Sequence, residues 1–338
     1  MGKIELLDCT LRDGGHVNQA RFGKNNIGEI ILGLVNSNID YVELGFLKNG
    51  KFSEDQTNFN DVSQIYEFIP QGINSTLTVM IRPDWYDISQ LSPCDGRIEV
   101  IRFAFYYKDF ALMEEQANRA RKLGYRIICN PVNINGYSDN QLLELVSRVN
   151  RLMPEQLTMV DTYGAFTYEK MRRRYYLINE NLDIRIRLGI HLHENMGLAF
   201  ALAQDFLSIR DYRRDVVIDA SLLGMGRIPG NLCIELIADF LNSKYGKKYH
   251  TKILYNLIGR YIQPIKDEIP WGYSPAYFIT AKEEMHRSYA EYLLKKEDIG
   301  LKEICDILSR IRKKEYKDNF DRDFVEKLYL SYMGEKNE

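Results

Sequence analysis

Two stretches of the sequence contain the residue types that bind metal ions and transfer protons. The first spans residues 8–16 and reads Asp-Cys-Thr-Leu-Arg-Asp-Gly-Gly-His, directly after an apolar run at residues 4–7. It combines two carboxylates, a guanidinium and an imidazole in a loop that two glycines make flexible. Folding alone does not require so many ionisable groups so early in a chain. We therefore interpret this stretch as one half of an active site.

The second stretch carries two of the five histidines, His191 and His193, at the end of an apolar run. Side chains two residues apart on a strand share a face, so both imidazoles can reach one ion. Two structural histidines are the alternative interpretation. The position at the end of a predicted strand favours a metal site.

The elements that must position these residues follow a regular alternation. Apolar β-rich runs and amphipathic helical segments alternate almost to residue 245, which predicts βαβ units with a parallel sheet. The predicted strands are residues 4–7, 41–45, 77–81, 98–103, 126–129, 157–160, 188–191 and 216–219. Eight strands in this length favour a closed (β/α)₈ TIM barrel over an open doubly wound sheet, because no Gly-rich phosphate turn follows the first strand.

The pattern becomes purely helical after the last predicted strand. We predict a TIM-barrel catalytic domain at residues 1–250 and a small C-terminal helical domain at residues 251–338. In a TIM barrel the C-terminal ends of all strands meet at one mouth, where active sites form. The loop at residues 8–16 and the histidine pair should therefore face each other there.

Barrel closure suggests further ligands for the predicted metal. Asp13 would complete a His-His-Asp set, and Asn231, in the loop after the last strand, could add a carbonyl oxygen. Nitrogen and hard oxygen ligands without a thiolate suit Mn²⁺ or Mg²⁺, with Co²⁺ and Zn²⁺ also open. Asp161 and Ser221 follow the sixth and eighth predicted strands, and we expect both to contact the substrate.

Two residues beside Asp13 are suited to act on the substrate. Arg12 would place a fixed positive charge where an oxyanion develops on a substrate that chelates the metal. An ion pair of Arg12 with Asp8 or Glu43 is the alternative, and it is compatible with that role. His16 is the candidate general base, because an imidazole titrates in the working pH range. Its alternative is a supporting hydrogen bond.

The motifs together resemble the DRE-TIM metallolyase superfamily, which includes isopropylmalate and homocitrate synthases, hydroxymethylglutaryl-CoA lyase and 4-hydroxy-2-oxovalerate aldolase. The similar residues are Asp-x-Thr-Leu-Arg-Asp-Gly at 8–14, His-x-His at 191–193, and the Gly-Met-Gly and Gly-Asn pairs within 224–231. His16 resembles the aldolase branch, since the acyl-CoA enzymes typically have Gln there. The resemblance also implies that Tyr273, from the helical domain, reaches back beside the base.

The resemblance implies a divalent-metal-dependent aldolase. It would cleave a 4-hydroxy-2-oxo acid to pyruvate and an aldehyde, or catalyse the reverse, with the metal, Mn²⁺ above all, as its only cofactor. His16, helped by Tyr273, would remove the C4 hydroxyl proton, and Arg12 would hold the enolate. Two alternatives stay open: an acyl-CoA-dependent Claisen condensing enzyme or lyase, and a non-catalytic docking partner of an aldehyde dehydrogenase.

One loop departs from the aldolase pattern. Arg227 and the two residues after it stand where the aldolases carry small residues. Our hypothesis is that Arg227 contacts an anionic or polyhydroxylated tail on the aldehyde half of the substrate.

The composition of the chain limits the kinds of partner that it could bind. The net charge of -2 and the pI near 6.3 give no indication of a nucleic-acid or anionic-membrane partner. Apolar runs are too short to cross a bilayer. Five cysteines without a Cys-x-x-Cys motif indicate a reducing compartment, and we predict the cytoplasm. The helical domain is expected to dock an aldehyde dehydrogenase or to form a homodimer.

Overall fold

Eight parallel strands form a closed barrel in the computed structural model, which describes residues 2–337. A ninth strand, β3, is only two residues long and pairs with the edge of β2 beyond the barrel. The strands are β1 (Ile4–Asp8), β2 (Tyr41–Leu47), β3 (Asn58–Phe59), β4 (Thr76–Ile81), β5 (Val100–Phe105), β6 (Arg126–Pro131), β7 (Gln156–Val160), β8 (Arg187–His191) and β9 (Val216–Ala220).

Closure occurs at β1, which pairs in parallel with β9 on one side and β2 on the other. Leu7 lies opposite Tyr41 of β2, and Ile4 lies opposite Val216 of β9. The other strands follow in chain order around the barrel. The TIM-barrel prediction is confirmed, and each of the eight predicted strands overlaps a barrel strand. Apolar runs that alternate with helical segments were sufficient to predict them, because the strands of a parallel barrel are buried on both faces.

Helices cover the outside of the barrel and form the C-terminal region. The barrel is surrounded by α1 (Gly15–Asn18), α2 (Lys24–Asn36), α3 (Phe110–Lys122), α4 (Asp139–Leu152), α5 (Tyr168–Asn179), α6 (Ala199–Ile209), α7 (Ile234–Tyr245), α8 (Thr251–Leu257) and α9 (Gln263–Glu268). The C-terminal helices are α10 (Pro275–Lys282), α11 (Ser288–Leu293), α12 (Leu301–Ser309), α13 (Lys314–Asp318) and α14 (Arg322–Asn337). No helix within residues 2–337 is long and apolar enough to cross a bilayer.

Two hydrophobic cores divide the chain. The larger core lies between the strands and the surrounding helices and extends to Leu254, Leu257 and Trp271. The second core begins at Ala276 and belongs to the C-terminal helices. Residues 251–271 therefore pack with the barrel, whereas the predicted domain boundary lies at residue 250. Ile228, in the loop after β9, contacts both cores.

The barrel interior is arranged in layers along the strands. One layer is an apolar cluster that includes Tyr41, Val100, Ile128 and Val217. Because side chains alternate along a strand, the next inward residues toward the C-terminal mouth lie two positions further on. These residues are Glu43, Arg102, Asn130 and Asp219. The barrel thus changes from an apolar layer to a polar and charged one immediately below the mouth.

Candidate metal centre and active site

The loop after β1 is held in place by a buried carboxylate. Asp8 accepts hydrogen bonds from the backbone N–H and the Oγ1–H of Thr10, at 2.9 and 2.8 Å. The Thr10 Oγ1 in turn accepts from the Leu222 N–H after β9, at 2.8 Å. Residues Thr10–Gly14 form a π-helical turn, an arrangement frequent at functional sites. The turn is therefore tied to the neighbouring strand, and it directs Asp13 into the barrel mouth.

Asp13, His191 and His193 converge at the mouth. The Oδ2 atom of Asp13 lies 3.8 Å from Nε2 of His191 and 3.7 Å from Nε2 of His193. All three side chains are buried, and their ligand atoms lie within 4.8 Å of one another. Within residues 2–337, Asp13 Oδ2 has no hydrogen-bond partner. The three side chains direct lone pairs toward one point and share no proton there. A divalent ion requires such an arrangement.

A hydrogen bond behind the His193 ring and a carboxylate contact behind the His191 ring orient the two imidazoles. The Nδ1 atom of His193 lies 2.9 Å from the backbone oxygen of Asp161, to which it can only donate. Its Nε2 atom is then unprotonated and faces Asp13. The Nδ1 atom of His191 lies 3.2 Å from Oδ2 of Asp219. Such partners on the far side of the ring are typical of metal-binding histidines, because they fix both the tautomer and the ring orientation.

Asn231 adds an oxygen beside this group. Its backbone forms an isolated bridge with His193, and its side chain is buried. Among the described residues, no donor reaches its Oδ1 atom, while Nδ2 points toward the Cys9 sulfur at 3.7 Å. Gly226 makes room for this amide, because a Cβ there would lie 2.3 Å from Nδ2. The orphaned oxygen fits the role of a fourth ligand.

Electrostatics keep the candidate ligands in the forms that bind a metal. Burial opposes ionisation of Asp13, but Arg12 and the two imidazoles outweigh it and hold the pKa of Asp13 well below its ordinary value. Burial, reinforced by His191, lowers the pKa of His193 to about 3. The site therefore offers a carboxylate and a neutral imidazole at neutral pH. This donor set fits a hard or borderline divalent ion.

Arg12 makes the ion pair that the sequence suggested, and it also lines the mouth. Its Nε donates to Glu43 at 2.7 Å and its Nη1 donates to Asp13 at 2.5 Å. Burial disfavours the charge, yet Glu43 and Asp13 raise the pKa of Arg12 above its ordinary value. The guanidinium is therefore a permanent positive charge next to the candidate metal ligands.

A buried charge network below the mouth was missed by the sequence analysis. Arg102 is fully buried, lies 2.9 Å from Glu43 through Nη1, and pairs with Asp219 and Asn130 through Nη2. The network therefore connects Arg12, through Glu43 and Arg102, to Asp219 and the His191 ring. The sequence did contain an indication of this network, because an arginine inside the apolar run 98–103 must either face solvent or have buried partners.

The mouth contains a cavity of about 180 Å³. His16 is on its wall, with Nε2 3.8 Å from Asp13 Oδ1 and its ring edge-on to Phe46 at 5.8 Å. Loss of water around the ring lowers the pKa of His16 to about 3, with Arg227 adding to this effect and Asp13 opposing it. The ring is therefore neutral at physiological pH, which is the form that accepts a proton.

Four predicted site residues do not line this cavity: Asn231, described above, and Tyr273, Asp161 and Ser221. Tyr273 is 63% exposed and its ring contacts Phe278 at 6.4 Å, so the structure does not bring it to the base.

The Asp161 carboxylate accepts from the N–H groups of Ala165 and Phe166 and thereby shapes its own loop. Ser221 is fully buried and its backbone pairs with Cys233. Asp161 nevertheless serves the site through its carbonyl oxygen, which orients His193.

Other cavity residues were not predicted. Arg82 and Trp85 follow β4, with the guanidinium 4.2 Å above the indole ring. His286 comes from the segment between α10 and α11 and lines the cavity, whereas Tyr273 does not. Contacts between the helical region and the barrel determine which of its residues reaches the mouth, and local sequence patterns do not encode them.

The fold and the site together define a TIM-barrel protein with a candidate divalent-metal centre at its C-terminal mouth. Comparison with known proteins specifies the class further. Residues 107–258 match the HMGL-like family model. The matched residues form an HMGL-like domain, in agreement with the resemblance to the DRE-TIM metallolyase superfamily noted from the sequence motifs, and the relatives named next are aldolases.

The individual relatives are distant. The 4-hydroxy-2-oxovalerate aldolase 2 of Salinispora arenicola is 25% identical over 241 residues, which cover 70% of this chain and 68% of that protein. The 4-hydroxy-2-oxovalerate aldolase of Thermomicrobium roseum is 25% identical over 242 residues, or 70% of this chain and 66% of that protein. The N-terminal domain of a candidate aldolase from Bacteroides vulgatus superposes with a TM-score of 0.73 at 21% identity, covering 86% of this chain and 97% of that one. The last similarity concerns the fold alone.

Proposed function

We propose that the chain is a divalent-metal-dependent aldolase that cleaves a 4-hydroxy-2-oxo acid to pyruvate and an aldehyde, or forms that bond in reverse. The observation that carries the proposal is the convergence of Asp13, His191 and His193 in one cavity with Arg12 and His16. The names of the curated relatives support the same reaction type. They also favour it over the acyl-CoA-dependent alternatives and over a purely docking role.

The metal and Arg12 have complementary tasks in this proposal. Asp13, His191, His193 and Asn231 would hold the ion, which we propose to be Mn²⁺ and which would act as a Lewis acid toward the oxo acid when bound. Arg12 is held by Glu43 and faces the cavity, so its charge needs no rearrangement when negative charge develops on the C2 oxygen.

His16 would transfer the proton. Its neutral ring accepts the proton of the C4 hydroxyl group, and the electron pair of that O–H bond forms the aldehyde carbonyl. The C3–C4 bond breaks, and its electron pair becomes the C2–C3 double bond of the enolate. The proton on His16 then returns to C3 and gives pyruvate, so no proton is lost or gained overall. Tyr273 has no part in this scheme, because it lies outside the cavity.

Pyruvate release from a panel of 4-hydroxy-2-oxo acids tests the proposal. We expect activity with Mn²⁺, loss of activity on treatment with EDTA, and recovery when Mn²⁺ is added back. Activity that persists after complete removal of metal would contradict the metal-dependent mechanism. Consumption of acetyl-CoA without turnover of any oxo acid would instead indicate the Claisen alternative.

The remaining expectations about the environment of the protein stay predictions. The five cysteines are all unpaired, which is consistent with the proposed cytoplasmic location. Docking of an aldehyde dehydrogenase or of a second copy on the helical domain is tested by co-purification and by the mass of the complex in solution.

A further inference from the structure

The outer part of the cavity collects basic side chains from two regions of the chain. Arg227 comes from the loop after β9, and His286 comes from the segment between α10 and α11. Arg287, the next residue, is buried and donates through Nη1 to the backbone oxygen of Ile228 at 2.7 Å. This hydrogen bond joins the helical region to the loop that carries Arg227.

The positive charge of this group is only partly balanced. Deeper in the mouth, Arg12 and Arg102 are neutralised by Asp13, Glu43 and Asp219. In the outer part, Arg287 pairs with Glu291 at 3.0 Å. Among the side chains that the structure describes, no carboxylate lies within salt-bridge distance of Arg227, and the buried Nε of Arg287 has no hydrogen-bond partner.

The basic groups also affect one another. Burial, and after it the charge of Arg227, lowers the pKa of Arg287 to about 9. Burial, followed by both arginines, lowers the pKa of His286 to about 4. Positive charges that are gathered in a half-buried cavity and only partly balanced raise the free energy of the empty site, and an anionic ligand group would lower it.

His286 contributes a hydrogen-bond donor to the same region. Its Nδ1 atom accepts from the Ser288 N–H at 3.3 Å, so the proton of the neutral ring lies on Nε2. The ring is held edge-on to Tyr163 at 5.7 Å, which limits its rotation. A guanidinium and an N–H donor from separate regions thus line one part of the cavity wall.

We propose that Arg227, His286 and Arg287 form an anion subsite and that the aldehyde half of the substrate carries a carboxylate or a phosphate group. This inference rests on the proposed aldolase function, because it assigns the oxo-acid half to Arg12 and the metal ligands. The sequence left the tail on the aldehyde half of the substrate as either anionic or polyhydroxylated, and this inference selects the anionic tail. A polyhydroxylated neutral tail would leave the charge on Arg227 without a partner.

Binding of two unreactive oxo acids of equal length tests the subsite. In 2-oxoadipate the tail ends in a carboxylate, whereas 2-oxohexanoate is neutral there, and neither compound has the C4 hydroxyl group that cleavage requires. Calorimetry with the Mg²⁺-loaded full-length chain should show 2-oxoadipate binding roughly 10-fold to 100-fold more tightly, the range expected for one hydrogen-bonded charge. Arg227→Gln and His286→Asn should reduce this preference while the affinity for 2-oxohexanoate is retained.

The matched control is Arg213→Gln. Arg213 is 82% exposed and precedes β9, so it lies at the opposite end of the barrel and its loss should leave the preference unchanged. Equal binding of the two oxo acids by the unmodified chain would overturn the subsite and leave the aldolase proposal intact. Equal weakening of both ligands by Arg227→Gln would overturn it as well. Failure of both oxo acids to bind would overturn the aldolase proposal and, with it, this inference.

Turnover in the condensation direction distinguishes the two anions. Pyruvate is supplied with succinic semialdehyde, with glyceraldehyde 3-phosphate or with neutral glyceraldehyde. Preference for either charged aldehyde, lost in Arg227→Gln, supports the subsite and identifies the anion. Faster turnover of the neutral aldehyde than of both charged ones would overturn it.

Discussion

Single atoms decide what each residue at the mouth can do. His193 offers Nε2 to a metal only because the Asp161 carbonyl oxygen accepts the proton on Nδ1. Asn231 offers Oδ1 because its Nδ2 is directed toward Cys9 and Met225. His16 lies next to Asp13 but outside the candidate ligand group, as the proposed proton transfer to and from the substrate requires.

Replacement of Asp13 by Asn tests the metal centre at this scale. The carboxylate is the only anionic member of the candidate ligand group. Loss of a residue that only hydrogen-bonds to a ligand lowers metal affinity by up to about 100-fold, so Asp13→Asn should lower the affinity for Mn²⁺ by more than that. Titration of the metal-free chain measures this affinity. An unchanged affinity would exclude Asp13 as a ligand. Glu54, 57% exposed on the surface, provides the control Glu54→Gln.

His16→Gln should separate the base from the ligands. We expect kcat to fall by about 100-fold to 10,000-fold, the typical contribution of a general base, while Mn²⁺ affinity stays within about twofold of the unmodified chain. Steady-state kinetics and metal titration measure the two quantities. A parallel loss of both would place His16 among the ligands, and His250→Gln, at an exposed position, is the control.

Strands and loops position these residues through the layer of charges inside the barrel. Arg102 on β5 pairs with Glu43 on β2 and Asp219 on β9, so three strands that are distant in sequence are tied together. Taking these charged groups out of water costs free energy. Removing one member of the network costs still more, because its partner is then left as a buried, unpaired charge. The network therefore sets the orientation of Arg12 and His191 above it.

Arg102→Met removes the shared cation and tests that statement. Glu43 and Asp219 would be left buried without it, and the free energy of unfolding should decrease by about 3 to 5 kcal/mol. Urea denaturation measures the change. The exposed control Arg213→Met should alter stability by less than about 0.5 kcal/mol. A comparably small effect of Arg102→Met would show that the network is not needed for folding.

At the scale of the whole molecule, the helical region and the barrel build the cavity together. The candidate metal ligands all belong to the barrel, whereas His286 belongs to the segment that the second hydrophobic core supports. Damage to the second core should therefore affect the binding of substrate more than the binding of metal.

Leu308→Ala tests this division. Leu308 is fully buried in the second core, and the substitution should destabilise that region by about 2 to 5 kcal/mol. We expect a higher KM for the oxo acid with Mn²⁺ affinity unchanged, measured by kinetics and metal titration. Leu330, 58% exposed, provides the control Leu330→Ala. Equal losses of metal and substrate binding would mean that the two regions fold as one unit.

The sequence by itself determined the barrel and most of the metal group. Strand and helix periods are local properties, so the eight strands were predictable, and the rule that strand ends meet at one mouth was enough to group Asp13 with the two histidines. Only the tertiary structure placed Arg102 among its partners and brought His286, rather than Tyr273, to the cavity. Those contacts depend on side-chain packing between segments far apart in the chain. The spacing of apolar residues within a segment does not encode such packing, because the same segments could pair in many ways without any change in that spacing.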